Sequence, residues 1–246
     1  MAWGMDEPKG GGEYWPDGAF EGGDWYNRLL NHFYRQPPDV QKALFDTPLE
    51  PLDAAQFYPS FTVDKFLCEW GIRQSTRPEH PPLTPILDHE LPTSFDTGKG
   101  YKSLASFITL NGRIAAVDGD LKHLIETFEP GVHKFYPIEI RMPRGQVFPN
   151  PYHILVIGQY FDSLVPEKSR DEPIKEMPNS GGLFHIKSGP KNRIPDLAFA
   201  QNVHGKAHLW RERRFGARLT CLSDALVAEI QKAGLRTPKM FKMIAA

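Results

Sequence analysis

The sequence predicts an α+β protein with a mixed, mainly antiparallel sheet, packed helices and an N-terminal helical portion. Three observations carry this prediction. The run Ile114 to Ile140 alternates a short apolar strand, an amphipathic helix and a second strand, and a helix with one apolar stripe must pack on a sheet to bury it. The same pattern returns between Arg218 and Ile244, so a duplicated strand–helix–strand unit is expected. Glycine (21) and proline (23) are frequent in a chain of 246 residues, which favours many loops over a helical bundle.

Within the first unit, Asp118-Gly119-Asp120 supplies carboxylates for the free N–H groups of a first helical turn. Leu121, Leu124, Ile125 and Phe128 follow at helical spacing. Glu129-Pro130-Gly131 then stops the helix, since Pro cannot continue it and Gly accepts a left-handed cap. In the second unit, Ser223-Asp224 is the cap, Leu226, Val227 and Ile230 the stripe, and Ala233-Gly234 the stop.

Residues 1–23 read as a Gly-rich arm, with Trp3 and Trp15 as possible anchors for a partner or for the arm itself. Asp24 can start a helix through Trp25, Leu29, Leu30 and Phe33, which Pro37-Pro38 ends. Asp39 starts a short helix from Val40 to Phe45. Another is expected from Thr62 to Trp70, stopped by Gly71. The Pro-rich stretch from Ser75 to Gly100 reads as a long irregular connection. It divides the chain into an N-terminal helical and irregular portion, 1–95, and an α+β core, 96–246. Phe107–Leu110 and Arg113–Val117 should pair as a hairpin across the two-residue turn that Asn111-Gly112 favours. Beyond the first unit, Pro143–Pro151 is a loop, and Tyr152 to Ile157 is the most strand-like run. Pro166–Gly182 is a charged surface loop. Short strands follow at 183–186, 197–199 and 208–211. About seven strands are expected on one sheet.

Composition bounds the function. A net charge of −1 argues against a surface that coats nucleic acid, which needs a basic excess. Cys68 and Cys221 lie far apart, so a disulfide framework is not expected and a reducing cytoplasm fits. Neither sits beside a basic residue that would activate a thiolate. No signal peptide is visible in MAWGMDEPKG, and no apolar run approaches the roughly 20 residues that span a bilayer.

The sequence holds no phosphate-binding Gly loop, no Gly-x-Ser-x-Gly and no HExxH. No cofactor is expected. His204 and His208 would share one metal ion if helical, but Gly205 and the alternation after them favour a turn and strand. Asp88-His89-Glu90 could be an acid/base cluster or a solvated loop. Trp210, Arg211, Arg213 and Arg214, with Arg218 and Phe215 nearby, combine the residue types that dominate protein interfaces. They could also bind phosphate or stack on bases, or form an ordinary charged hairpin rim. Asp162 and Ser169 flank the segment after the strongest strand, where a carboxylate is either a turn former or a contact residue.

Taken in order, several passages resemble a known family. They are Leu124-Ile125-Glu126-Thr127-Phe128-Glu129-Pro130-Gly131, then Val132-His133-Lys134-Phe135-Tyr136-Pro137-Ile138-Glu139, then Tyr152-His153-Ile154-Leu155, then Asp162 to Ser169. The series closes with His208-Leu209-Trp210-Arg211 and Ser223-Asp224-Ala225-Leu226 with Ala233-Gly234-Leu235. This succession is similar to the eleventh immunity-protein family of bacterial polymorphic toxin systems, from Gly98 to Ile244. Arg236-Thr237-Pro238 stands where that family usually carries Thr-Gly. The resemblance implies a non-catalytic cytoplasmic protein that binds and neutralises a cognate toxin. The rival readings are a small hydrolase or metal-dependent enzyme that reverses toxin damage, and a nucleic-acid-binding module using Arg211 to Arg218.

Overall fold

Two curved sheets share one helical core in this computed structural model, which describes residues 1–5, 8, 10–44, 51–67, 85–170, 174–177, 182–186, 194–215 and 219–246. The expected α+β class holds, with mostly antiparallel pairing and a few parallel pairs. The strands divide between two sheets, however, where the sequence suggests one.

The first sheet runs β2 (Gly18–Phe20), β3 (Ser94–Thr97), β6 (Lys134–Met142), β8 (Tyr152–Val156), β5 (Ala115–Asp118), β4 (Phe107–Thr109), with β7 (Gln146–Val147) on the end of β6. The second runs β15 (Met240–Lys242), β1 (Ala2–Met5), β14 (Leu219–Ser223), β13 (Leu209–Glu212), β9 (Tyr160–Phe161). Two small pairs complete the strands: β10 (Ile174–Glu176) with β11 (Phe184–Ile186), and β12 (Ala198–Phe199) with β16 (Ile244–Ala245). β3, β7 and β10 fall in stretches that read as irregular, because each is too short to show periodicity and is held by its neighbour.

Helices α1 (Asp24–Arg35), α2 (Pro38–Ala43) and α3 (Pro51–Leu67) precede the first sheet's second strand. Trp25, Leu29 and Phe33 of α1 and Phe61, Val63 and Phe66 of α3 bury against Phe95, Ile108, Ile138 and Ile154. α3 starts well before the expected Thr62, and Cys68, Trp70 and Gly71 lie outside the described residues, as do Phe45 and Arg218. Helices α4 (Gly119–Phe128) and α5 (Asp224–Lys232) lie in the core that both sheets share. There Leu121, Ile125, Leu226 and Ile230 meet Val117 and Leu155 of one sheet and Met5, Leu209 and Leu222 of the other. No helix among the described residues is long and apolar enough to cross a membrane.

The expected repeat is present, and it is larger than one unit. Asp118 and Ser223 each cap their helix by accepting an N–H three residues on, from Leu121 at 2.9 Å and Leu226 at 3.2 Å. One constant shift in numbering relates Asp118 to Ser223, Leu121 to Leu226, Ile125 to Ile230 and Tyr136 to Phe241. The strands that pair with these units follow the same pattern, at offsets one to three residues shorter. Phe107 pairs with Val117 as Leu209 pairs with Leu222, and Ser94 and Phe95 lie parallel to Glu139 and Ile140 as Ala198 and Phe199 lie parallel to Ile244 and Ala245. In each set one antiparallel strand splits the two strands that flank the helix. In the first it is β8, which follows β6 in the chain. In the second it is β1, brought from the other end of the chain. The first residues of the stretch read as a poorly ordered or wrapped arm therefore supply an internal strand, because the repeat leaves a gap there that four extended residues fill.

The Asn111-Gly112 hairpin forms with a longer turn than expected. Leu110 and Ile114 close it through an N–H···O bond of 2.8 Å, and Gly112 (φ +67°) and Arg113 (φ +63°) both adopt the left-handed region. Gly112 takes that conformation without strain, whereas Arg113 does so against its Cβ.

Candidate partner-binding corner

β9 and β13 are parallel neighbours, with Arg211 opposite Tyr160 and Glu212 opposite Phe161. Parallel strands end on the same side, so the segment after β9 and the turn after β13 emerge together. This places Asp162 beside Arg213, two of the residues singled out for partner contact. The Arg213 guanidinium forms a two-pronged ion pair with the carboxylate, through Nε to Oδ1 at 2.6 Å and through Nη2 to Oδ2. The carboxylate raises the arginine's pKa further. Arg214 donates from Nη1 to the Leu164 carbonyl at 3.1 Å and lays its guanidinium over the Phe184 ring at 4.6 Å.

The other two lie deeper. Trp210 is fully buried, and Arg211 is buried with Nη1 donating to Thr220 Oγ1 at 2.9 Å. Ser169 is a turn element: its hydroxyl donates to the Val165 carbonyl and accepts the Ala198 N–H, both at 3.1 Å.

Beneath the corner sits Glu212, which the sequence reading missed. It is fully buried and accepts from the Ser163 N–H at 3.0 Å, the Ser163 hydroxyl and the Arg214 N–H at 3.1 Å. Burial pushes its carboxyl up to about 7, against the hydrogen bonds, which favour the ionised form. The carboxyl thus ties the Asp162 segment to the Arg213 turn. The only signal in the sequence was a glutamate at the end of an otherwise apolar face, Trp210 and Glu212 alternating.

A second buried carboxylate joins the sheets. Glu129, just past α4, accepts from His133 Nε2 at 2.8 Å, Gln159 Nε2 at 2.6 Å and the N–H groups of His208 and Leu209 at 2.8 and 2.9 Å. Burial opposes its charge, but the His133, His208 and Gln159 bonds outweigh it and hold the carboxyl below its ordinary value. His133 Nδ1 accepts the Gly158 N–H at 3.0 Å, which fixes the tautomer with the proton on Nε2. A side chain at Gly158 would place its Cβ 1.7 Å from the Val132 carbonyl oxygen. The Glu-Pro-Gly-Val-His passage is thus a structural clasp.

The Asp88-His89-Glu90 turn is no solvated loop. Glu90 is fully buried and paired with Lys65 Nζ at 2.6 Å, and it also accepts from Tyr58 Oη at 2.9 Å and the Leu87 N–H at 2.8 Å. Burial and then the Glu90 charge keep the Tyr58 phenol protonated. His89 stacks on His32 with ring centres 3.5 Å apart, and burial, then the neighbouring His32, lowers its pKa. Every polar atom named in this network already has a protein partner.

His204 and His208 engage different neighbours. His208 pairs its Nδ1 with Ser223 Oγ at 2.8 Å, while His204 stacks on Trp210. Among the described residues no three His, Cys, Asp or Glu side chains gather as a metal would require. Cys221 is buried, and burial drives its thiol pKa well up.

Two sheets sharing a helical core, with a charged corner at the joint ends of two strands, define an α+β protein. Residues 76–244 match the model of the immunity protein family (Imm11). The chain belongs to that family, which supports an immunity function. A comparison with curated proteins finds no match.

Proposed function

We propose that this protein binds a cognate toxin in the cytoplasm and blocks it stoichiometrically, without catalysis. The observation that carries the reading is membership of the immunity protein family over residues 76–244. The corner around Asp162, Arg213 and Arg214 is the contact surface we favour, with Trp210 and Arg211 behind it. It offers a guanidinium on an aromatic face and a partly buried ion pair, groups that give orientation and specificity at an interface. The scaffold behind it is rigid, because Glu129 and Glu212 tie its loops to the sheets.

The test is rescue and co-purification. The toxin encoded beside this protein would be expressed in cells with and without it, and the pair purified together. Rescue with a one-to-one complex is expected. Rescue without a complex would overturn the binding mechanism in favour of an enzyme that undoes damage, and neither would overturn the function.

A further inference from the structure

Trp210 carries an indole N–H with no hydrogen-bond partner among the described residues, although it is fully buried. The His204 ring covers it, with centroids 4.5 Å apart and planes 17° from parallel. Both nitrogens of His204 are also buried and without partners among the described residues. Three buried polar atoms in one stack are unusual, because each forfeits its bonds to water and regains none among the described residues.

The fold does not require this. Under the internal repeat, Trp210 opposite Cys221 corresponds to Ile108 opposite Ala116. A hydrocarbon fills the equivalent site of the first sheet and leaves nothing unsatisfied. The nitrogen-bearing stack is therefore particular to the second sheet, next to the strand end that carries Arg213.

His204 belongs to a short turn, 201–207, whose neighbouring residues Gln201, Asn202, Val203, Gly205 and Lys206 are exposed. The Ala207 N–H to His204 carbonyl bond of 2.9 Å closes it, and Gly205 sits at φ +56°, where glycine moves freely. Opening the turn would let water or a partner reach all three nitrogens.

We infer that turn 201–207 is a lid, and that Trp210 is a partner anchor which the lid holds covered until the toxin presents a carbonyl or carboxylate oxygen to the indole N–H. This rests on the toxin-binding reading above and names the residue that reading leaves buried. Burial in the free protein protects a large aromatic from non-specific contacts, and the unsatisfied nitrogens keep the closed state shallow.

Trp25 provides an internal control. It is equally buried, but its indole N–H donates to the Glu90 carbonyl at 3.1 Å. Indole hydrogen exchange by NMR on the free protein should show Trp210 protected no more than the Ala207 amide and about tenfold or more less than Trp25. On adding catalytically inactivated toxin from the neighbouring gene, Trp210 should become protected. Trp210→Phe should leave the free protein folded, less stable by the volume the smaller ring leaves empty, and weaken the complex about tenfold. Trp210 exchange as slow as that of Trp25 in the free protein would overturn the lid. A complex that leaves Trp210 exchange unchanged, or that Trp210→Phe does not weaken, would overturn the anchor. If no complex forms with the wild-type chain, the function proposed above falls and takes the anchor with it, while the free-protein exchange still decides the lid.

Discussion

Glu129 and Leu209 lie 80 positions apart and are joined by an N–H···Oε2 bond of 2.9 Å, which ties the end of the first repeat's helix to the opening strand of the second. Glu129 fills its remaining acceptor positions with His133, Gln159 and the His208 amide. One carboxylate thus registers the two sheets against each other.

Disturbing this clasp should be severe. Gly158→Ala forces a Cβ onto the Val132 carbonyl and should cost at least ~3 kcal/mol, toward the upper end for single substitutions. Glu129→Ala leaves two backbone N–H groups unsatisfied and should cost about 2–4 kcal/mol. Because the Glu129 pKa is lowered on folding, its contribution is present above the ordinary carboxylate value of 4.5 and fades as the pH falls below it. Chemical denaturation of wild type and variant at pH 7 and pH 3.5 checks both points: the difference should shrink in acid.

Glu212 should act in the opposite direction. Its folded-state pKa is about 7 against an ordinary 4.5, so the folded state holds the proton across that window and the unfolded state does not. Its contribution is complete below pH 4.5 and is lost as the pH rises through about 7, a swing of ~3 kcal/mol at about 1.4 kcal/mol per pH unit. The stability difference between wild type and Glu212→Gln, measured from pH 4 to pH 8, should move against the wild type as the pH rises. A flat difference would show that the carboxyl titrates normally.

The Lys65–Glu90 pair is buried on both sides. Lys65→Met should cost about 3–5 kcal/mol, since it strands a carboxylate in the first core. Adding Glu90→Gln should recover a large part of that loss. A double-mutant cycle by thermal unfolding gives the coupling directly.

At the corner, Arg213→Ala should lower free-protein stability by about 1–2 kcal/mol, because the pair is two-pronged but only partly buried. Toxin affinity should fall about tenfold or more if the corner is the contact surface. Calorimetric titration beside thermal unfolding separates the two effects.

Much of the fold was legible because the signals were local. Asp118 and Ser223 announce helix starts through side chains that reach only three residues ahead. Pro130 and Gly131 announce a stop through backbone chemistry alone. The apolar stripes of α4 and α5 require a shared core whatever lies opposite. β3, β7 and β10 were not legible, since strands of two to four residues take their conformation from the neighbour that pairs with them. Of the candidate contact residues, Arg213 and Asp162 were found as separate charges. Their pairing depends on β9 and β13 ending on the same side.

By itself, then, the sequence determined the longer elements, the caps and stops of α4 and α5 and the α+β class, because these follow from backbone chemistry and periodicity within a few residues of one another. The tertiary structure alone decided that β1 crosses the molecule to complete the second repeat, that Glu129 and Glu212 are buried and bonded, and that Trp210 lies beneath His204. Those outcomes depend on which distant segments share a low-dielectric interior, where a carboxylate or an indole N–H is governed by the partners that the folded chain brings within about 3 Å.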